Sequence, residues 1–371
     1  MIRFTWLRFR AQAAIVFGAL AALAVVLAVT GVNLARRYDT AAAACKARGG
    51  DCSAAMSAFA DSDSALQSFV KVLLLVAPAL IGMFWGAPLV AREFETGTFR
   101  LAWTQDVTPT RWLAIKLGVV GLASVAAAGL LSLMVTWWSS PIDKALMDQW
   151  GVFSLRDITP VGYTAFAFAL GVTAGTLIRR TVPAMAVTLA VFAAVQVVMG
   201  LWIRPRLITP VHATAPLNIA ALQETGVTGN GQLQVFEPAN IPGAWVYSSQ
   251  IVTPAGHLAS SEPATQACTT GTGQACDAYV ATLHLRQQVT YQPASRYWAF
   301  QWYETAIFLG LAVILAGVCF WQIRRRRSEE LHLLHLHANR ETPVLERSGR
   351  RHKGQERDRH QLRLAIAMGC G

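Results

Sequence analysis

The chain has 371 residues, of which 54% are apolar and only 14% charged, with a mean hydropathy of +0.38. Soluble domains carry about 25% charge, so a water-soluble globule is excluded; the apolar content and the lack of a short repeat exclude a disordered or fibrous chain. The formal net charge is +11, but residues 324–371 hold 12 Lys+Arg against 6 acids and carry more than half of that excess, which removes the main support for a nucleic-acid partner.

Placing a charge in lipid costs roughly 2.5–3.5 kcal/mol on insertion scales, so charges mark where membrane spans stop. Six long apolar stretches lie between consecutive charges: 11–35, 72–91, 117–142, 158–178, 181–203 and 305–323, of 25, 20, 26, 21, 23 and 19 residues. About 20 residues at 1.5 Å each cross a ~30 Å hydrocarbon core, so each predicts a transmembrane helix. The first follows Arg3, Arg8 and Arg10 as a signal peptide would, but it is longer than an ordinary h-region and five more spans follow. Two other uncharged stretches, 207–223 and 238–261, contain Pro, Asn, Gln, His and Ser throughout. They predict loops of an aqueous domain.

Trp112, Trp137, Trp138, Trp202, Trp298, Trp302 and Trp321 all fall near span ends, where an amphipathic ring favours the headgroup region. Gly171 and Gly175, in a GVTAG segment of the fourth span, are candidates for close helix packing.

Cytoplasmic loops are enriched in Lys and Arg. With the N-terminus inside, the inner segments 1–10, 92–116, 179–180 and 324–327 hold 13 basic residues in 41 positions. The outer segments 36–71, 143–157 and 204–304 hold 11 in 152. Both termini are therefore expected in the cytoplasm, although Arg36 and Arg37, just beyond the first span, oppose that orientation locally. Cys45 and Cys52 lie in one outer segment, and Cys268 and Cys276 in another. Each pair could close a ring worth roughly 2.5 kcal/mol, and disulfides persist outside the cytosol. Unpaired thiols remain an alternative. A metal site has less support, because neither pair has CxxC spacing. Cys319 falls inside the last span as a small apolar filler, and Cys370 lies in the tail.

The outer segment 204–304 is long enough for a small mixed α/β domain. GAWVYSSQIV (243–252) and VATLHLRQQVTY (280–291) alternate as strands do. ITPVHATAPLNIAALQETG (208–226) is partly apolar and predicts short helices on the membrane rim. The aromatic run YQPASRYWAFQWYE (291–304) reads as an interfacial anchor before the last span, with a substrate-contacting rim as the alternative. The fold class is thus an all-α polytopic membrane protein with six transmembrane helices and a small extracytoplasmic domain between helices 5 and 6.

No P-loop, HExxH, GxSxG or paired-cysteine zinc pattern occurs. His212, His257 and His284 stand alone, and no span contains Asp or Glu, which ion-coupled transporters use as relays. Gln196 is the most polar residue in the spans, and helix packing accounts for it equally well. A chain that moves cargo without its own relay must take energy from elsewhere. The inner segment VAREFETGTFRLAWTQDVTPTRWLAIK (90–116) suits docking on a soluble partner, with Glu93 and Glu95 as exposed carboxylates and a Thr108-Pro109 turn. An ordinary solvated loop is the alternative.

EFETGTFRLAWTQDVTPTRWLAIKL resembles the first inner loop of the type-2 ABC exporter permeases. Arg92 immediately precedes the segment, and Glu93, Glu95, Gly97, Thr98, Arg111 and Lys116 match the pattern by which that loop couples to the ATPase. The six-span plan and a short basic helix at 1–12, similar to the family's interfacial helix, agree with it. FWGAPLVARE (84–93), SPID (140–143), RRTVPAMAVTLAVFAAVQ (179–196) and YQPASRYW (291–298) are similar to the actinobacterial branch. The resemblance covers roughly residues 1–327; the segment 204–304 is larger than in the family's simplest members. It implies a permease subunit in the cell membrane, without catalytic residues or a cofactor of its own. A soluble P-loop ATPase would bind ATP and Mg, and the permease would pair with a second copy or a relative. Two other readings stand beside it: a receptor or signalling scaffold using 204–304 to bind a ligand, and a polytopic enzyme acting on lipid. The tail 328–371, with five of the eight histidines and mixed charge, predicts a disordered cytoplasmic extension. Arg324–Arg327 predict a stop-transfer anchor.

Overall fold

The computed structural model describes residues 2–48, 52–97, 108–146, 149–217, 224–227, 233–236, 241–261, 265–269 and 273–325. Lipid offers the backbone no hydrogen-bond partners, so an apolar run must satisfy its own N–H and C=O groups as a helix. Six helices among the described residues are long and apolar enough to span, and they contain the six predicted stretches except for Ile158, which caps its helix. They are α1 (Ile2–Arg48); α3 (Ser64–Ile81) running through a π-helical turn (Gly82–Gly86) into α4 (Ala87–Thr96); α5 (Pro109–Leu146); α6 (Thr159–Ile178); α7 (Thr181–Val198), continued by Met199–Ile203 and Arg204–Arg206; and α10 (Ala294–Arg325). The chain is a multi-pass membrane protein. Large apolar side chains such as Ile15, Leu122, Leu133, Val182 and Val313 stand exposed along the spans, as a lipid-facing belt requires.

Two expectations for the first span change. Residues 2–12 are continuous with α1, so no separate interfacial helix precedes it. The same helix carries Arg36 and Arg37 onward to Arg48; 47 residues at 1.5 Å make a rod of ~70 Å, over twice the hydrocarbon thickness. A disulfide between Cys45 and Cys52, with Cα atoms 5.8 Å apart, joins its end to α2 (Ser53–Asp61). Helix α2 folds back so that Phe59 packs on Tyr38 with ring centroids 5.8 Å apart.

Helix α6 is the central one: 78% of its apolar window is buried, against 17–39% for the others. It packs on the π-helical turn and α4 through residues too small to hold the backbones apart. A Cβ on Gly82 would lie 2.5 Å from the Ala167 carbonyl oxygen, and one on Gly175 would lie 2.6 Å from that of Ala87. Gly171 sits against the Gly82 carbonyl and the Ala87 nitrogen more tightly still. Close approach of this kind recovers van der Waals contact between helices that lipid itself does not drive together.

The segment between α7 and α10 forms a three-stranded antiparallel sheet, β1 (Val211–Pro216), β5 (Arg286–Gln292) and β4 (Trp245–Val252) in spatial order 1-5-4, with a β2 (Glu224–Val227)–β3 (Leu233–Phe236) pair beside it. Short helices α8 (Gln266–Thr269) and α9 (Gly273–Thr282) are linked by the Cys268–Cys276 disulfide, with Cα atoms 4.5 Å apart. In place of the rim helices expected over 208–226, the described residues of that stretch contain β1 and the start of β2. Pro210 and Pro216 discourage a helix, and β5 offers β1 a ladder from Val211–Tyr291 to Pro216–Arg286. The strand expected over 280–291 begins only at Arg286. Cys276 and Val280, four apart and both buried, instead set a helical face against Leu233.

Trp137, Trp202, Trp298, Trp302 and Trp321 are exposed near span ends, whereas Trp112 and Trp138 are buried. Trp138 donates its indole N–H to Thr30 Oγ1 at 3.0 Å. Position along the helix placed all seven alike; the direction each faces separates them.

Candidate functional site

Sequence singles out the end of the bundle opposite the sheet. There α4 ends at Gly97, whose φ of +70° closes the helix in the left-handed conformation glycine adopts freely. Residues 98–107 lie outside the described residues, and Thr98 with them. The chain resumes at Thr108, whose Oγ1 accepts the Arg111 N–H at 3.4 Å and whose carbonyl accepts the Trp112 N–H at 3.0 Å. Thr108-Pro109 is therefore a helix N-cap followed by proline at the first helical position.

The two carboxylates occupy different settings, and Glu93 is not the exposed group the sequence suggests. It is half-buried and pairs with Lys116 Nζ at 2.5 Å, where the lysine side chain is 8% exposed. Lys116 also donates to the Leu89 carbonyl at 3.3 Å and lies 4.2 Å from the Trp112 ring centroid. Glu95 is exposed, yet both oxygens are engaged: Oε1 accepts the Thr181 N–H at 2.9 Å and Oε2 its hydroxyl at 2.6 Å. That places a carboxylate on the open N-terminus of α7, where orphan N–H groups and the helix dipole favour one. The α6–α7 link is short because Arg179, with φ 58°, ends α6 by donating its N–H to the Gly175 carbonyl at 3.1 Å. Glu93 thus ties α4 to α5, and Glu95 ties α4 to α7. Arg92 and Arg111 face solvent.

The sheet end carries polar groups that sequence reasoning treated only as span boundaries. Glu304, fully buried, receives two bonds of 2.8 Å from Arg204 and one from the Tyr163 hydroxyl. Arg204 also donates to Ser154 at 2.6 Å and stacks 4.8 Å from the Phe153 ring. Arg156 pairs with Asp143 and lies 3.6 Å from Asp157, which accepts the Tyr297 hydroxyl at 2.5 Å. Burial disfavours the charge on Arg156, but the Tyr297 hydroxyl and the Asp143 carboxylate outweigh it and hold the guanidinium above its usual range. Trp150, Phe153, Trp245, Tyr297 and Phe300 form one aromatic cluster, and the Trp150 indole donates to the Gly243 carbonyl at 3.0 Å. Together these join the sheet to the span ends. A signal existed in the sequence: Arg204 closes one span and Glu304 opens the next, so opposite charges face each other at one bilayer depth.

The described residues contain no group of three His, Cys, Asp or Glu side chains able to hold a metal. Cys319 is buried, and its sulfur lies 3.2 Å from Thr173 Oγ1. The tail beyond Arg325, with Cys370, lies outside the described residues. A family model described as ABC-2 membrane transporter related matches residues 17–204, from the first helix through Arg204. No curated protein and no solved structure matches the chain.

Proposed function

We propose, on the premise that this chain belongs to the ABC-2 membrane transporter related family, that it is the permease subunit of an ATP-driven exporter and takes its energy from a separate soluble ATPase. The observation that carries this reading is the match over 17–204, which spans the first five membrane helices and the segment 92–116 together. ATP and Mg bind on the partner, and this chain supplies no catalytic residue. Two copies, or one copy and a related permease, enclose the path. The likeness of residues 84–93 and 179–196 to the actinobacterial branch supports that subgroup. The excess of basic residues at the loop end, and two disulfides at the sheet end, support an orientation with both termini in the cytoplasm and the sheet outside.

Geometry at the loop end supports a coupling role. Arg92 and Arg111 offer exposed cations to a partner near the end of α4 and the start of α5, where a soluble subunit would press. Pressure on the end of α4 passes to α5 through Glu93–Lys116 and to α7 through Glu95–Thr181. One displacement then moves three spans and biases the bundle between two arrangements.

The experiment uses the full chain co-purified with its P-loop ATPase. Reversing Arg92 and Arg111 together to Glu should strip the ATPase from the permease while leaving the thermal unfolding of the permease unchanged. Glu95→Ala should keep the ATPase bound but lower transport per ATP hydrolysed. A permease that purifies without any P-loop ATPase, or keeps it fully after the double reversal, overturns the reading; the first result would favour the receptor or scaffold alternative.

A further inference from the structure

A cavity of about 120 Å³ opens at the sheet end between α3, α5 and the segment 149–157. Val70, Leu74, Val135, Trp138 and Ile142 give it an apolar wall, and Lys71, Asp143 and Arg156 give it a polar one. Lys71 and Asp143 are the charges that bound the second and third apolar stretches. The polar wall therefore stands at headgroup level, with the apolar wall on the hydrocarbon side.

The charges in this lining are unequal in what they leave free. Arg156 is taken up by Asp143 and, at 3.6 Å, by Asp157, which is not part of the lining, and it also meets Ser139 Oγ at 3.4 Å. Lys71 is exposed, and among the described residues no carboxylate lies within ion-pair distance of it. Among the described residues, Lys71 thus stands at the mouth of the cavity as an ammonium without an ion-pair partner, above an apolar wall. An apolar cavity of about 150 Å³ stays dry and takes up a molecule the size of benzene, so this one has room for several methylene groups. An ammonium on the rim selects an anionic oxygen through a charge-assisted hydrogen bond, and the wall below selects a hydrocarbon chain.

We propose that this cavity binds an anionic amphiphile, its carboxylate or phosphate on Lys71 and its first methylenes against Leu74, Val135 and Trp138. The site lies within one protomer and does not depend on coupling to an ATPase. A free fatty acid and an anionic phospholipid share the chemistry, and bromine-labelled forms of each tell them apart.

Trp138 in the wall supplies the readout, since bromine quenches a neighbouring indole. The full chain in phosphatidylcholine nanodiscs is titrated with 6,7-dibromostearate, and separately with phosphatidylglycerol carrying the same chains; equally brominated phosphatidylcholine sets the baseline. Saturable quenching above that baseline is expected with at least one anionic probe, and the probe that saturates names the source. The chain has 12 tryptophans, so one fully quenched ring removes about a tenth of the emission, and Trp138→Phe should abolish that part. Lys71→Gln should weaken the apparent affinity about fivefold, the effect of one surface cation on an anionic lipid, and Lys71→Arg should restore it. Lys71 is exposed, so neither variant threatens the fold. Quenching by both anionic probes no greater than by phosphatidylcholine, or an unchanged titration in Lys71→Gln, overturns the proposal.

Discussion

Lys116 illustrates how a residue type can be legible while its role is not. Its place at the start of an apolar stretch identifies a boundary cation, but only the fold shows that Glu93, 23 positions earlier, lies against it. Breaking a buried ion pair from one side costs more than the pair contributes, because it leaves a charge poorly compensated. Glu93→Ala should therefore lower stability by about 2–3 kcal/mol, measured by thermal unfolding of the purified chain. Glu93→Ala combined with Lys116→Met should recover most of that loss, since the methionine brings no charge to the same space. If the double variant is no more stable than the single, Lys116 is held by other partners. Glu95 acts more locally. As the carboxylate on the α7 N-terminus, it resembles an N-cap supplied from another helix, and Glu95→Ala should lower the unfolding temperature of the purified chain, while Glu95→Gln keeps an acceptor and lowers it less.

Helices present a simpler problem to the reader of a sequence than the strands do. All six spans were legible because a single local quantity, the length of chain between charges, decides whether a helix can cross lipid. β1 was not, because Val211–Pro216 becomes a strand only by pairing with β5, some 75 positions later. No local signal in 208–226 reports that partner. The glycine seam lies between these cases. Gly171 and Gly175 mark a close approach, but their neighbours Gly82 and Ala87 come from a different helix whose π-helical turn sets the register. Gly171→Ala should be among the most damaging small substitutions in the chain, since its Cβ would overlap backbone atoms that cannot move independently. A loss of at least about 2 kcal/mol is expected, at the severe end for overpacking. Gly118→Ala, on α5 with nothing within 4 Å of the added carbon, should be neutral or slightly stabilising. Comparable unfolding temperatures for the two variants would show that the seam yields.

At the scale of the whole molecule, the two ends of the bundle are built on opposite plans. The loop end is held by few bonds, Glu93–Lys116 and Glu95–Thr181, which under the proposed coupling would carry movement between helices. The sheet end is closed by a buried network in which Glu304, on α10, binds both Arg204 at the end of the fifth span and Tyr163 on α6. Glu304→Ala should leave Arg204 without its carboxylate and cost about 3–5 kcal/mol, loosening the sheet from three spans at once. That asymmetry gives the proposed orientation a physical test. In intact cells carrying a Cys370→Ser background, a membrane-impermeant maleimide applied after mild reduction should label Cys268 and Cys276, which the Cys268–Cys276 disulfide releases at the sheet end. Arg111→Cys, exposed at the loop end, should label only once the membrane is permeabilised, and Cys319, buried within α10, should not contribute. Equal labelling of both ends in intact cells would contradict an odd number of crossings between them. Labelling of Arg111→Cys alone would invert the molecule and remove the loop end from reach of any cytosolic ATPase.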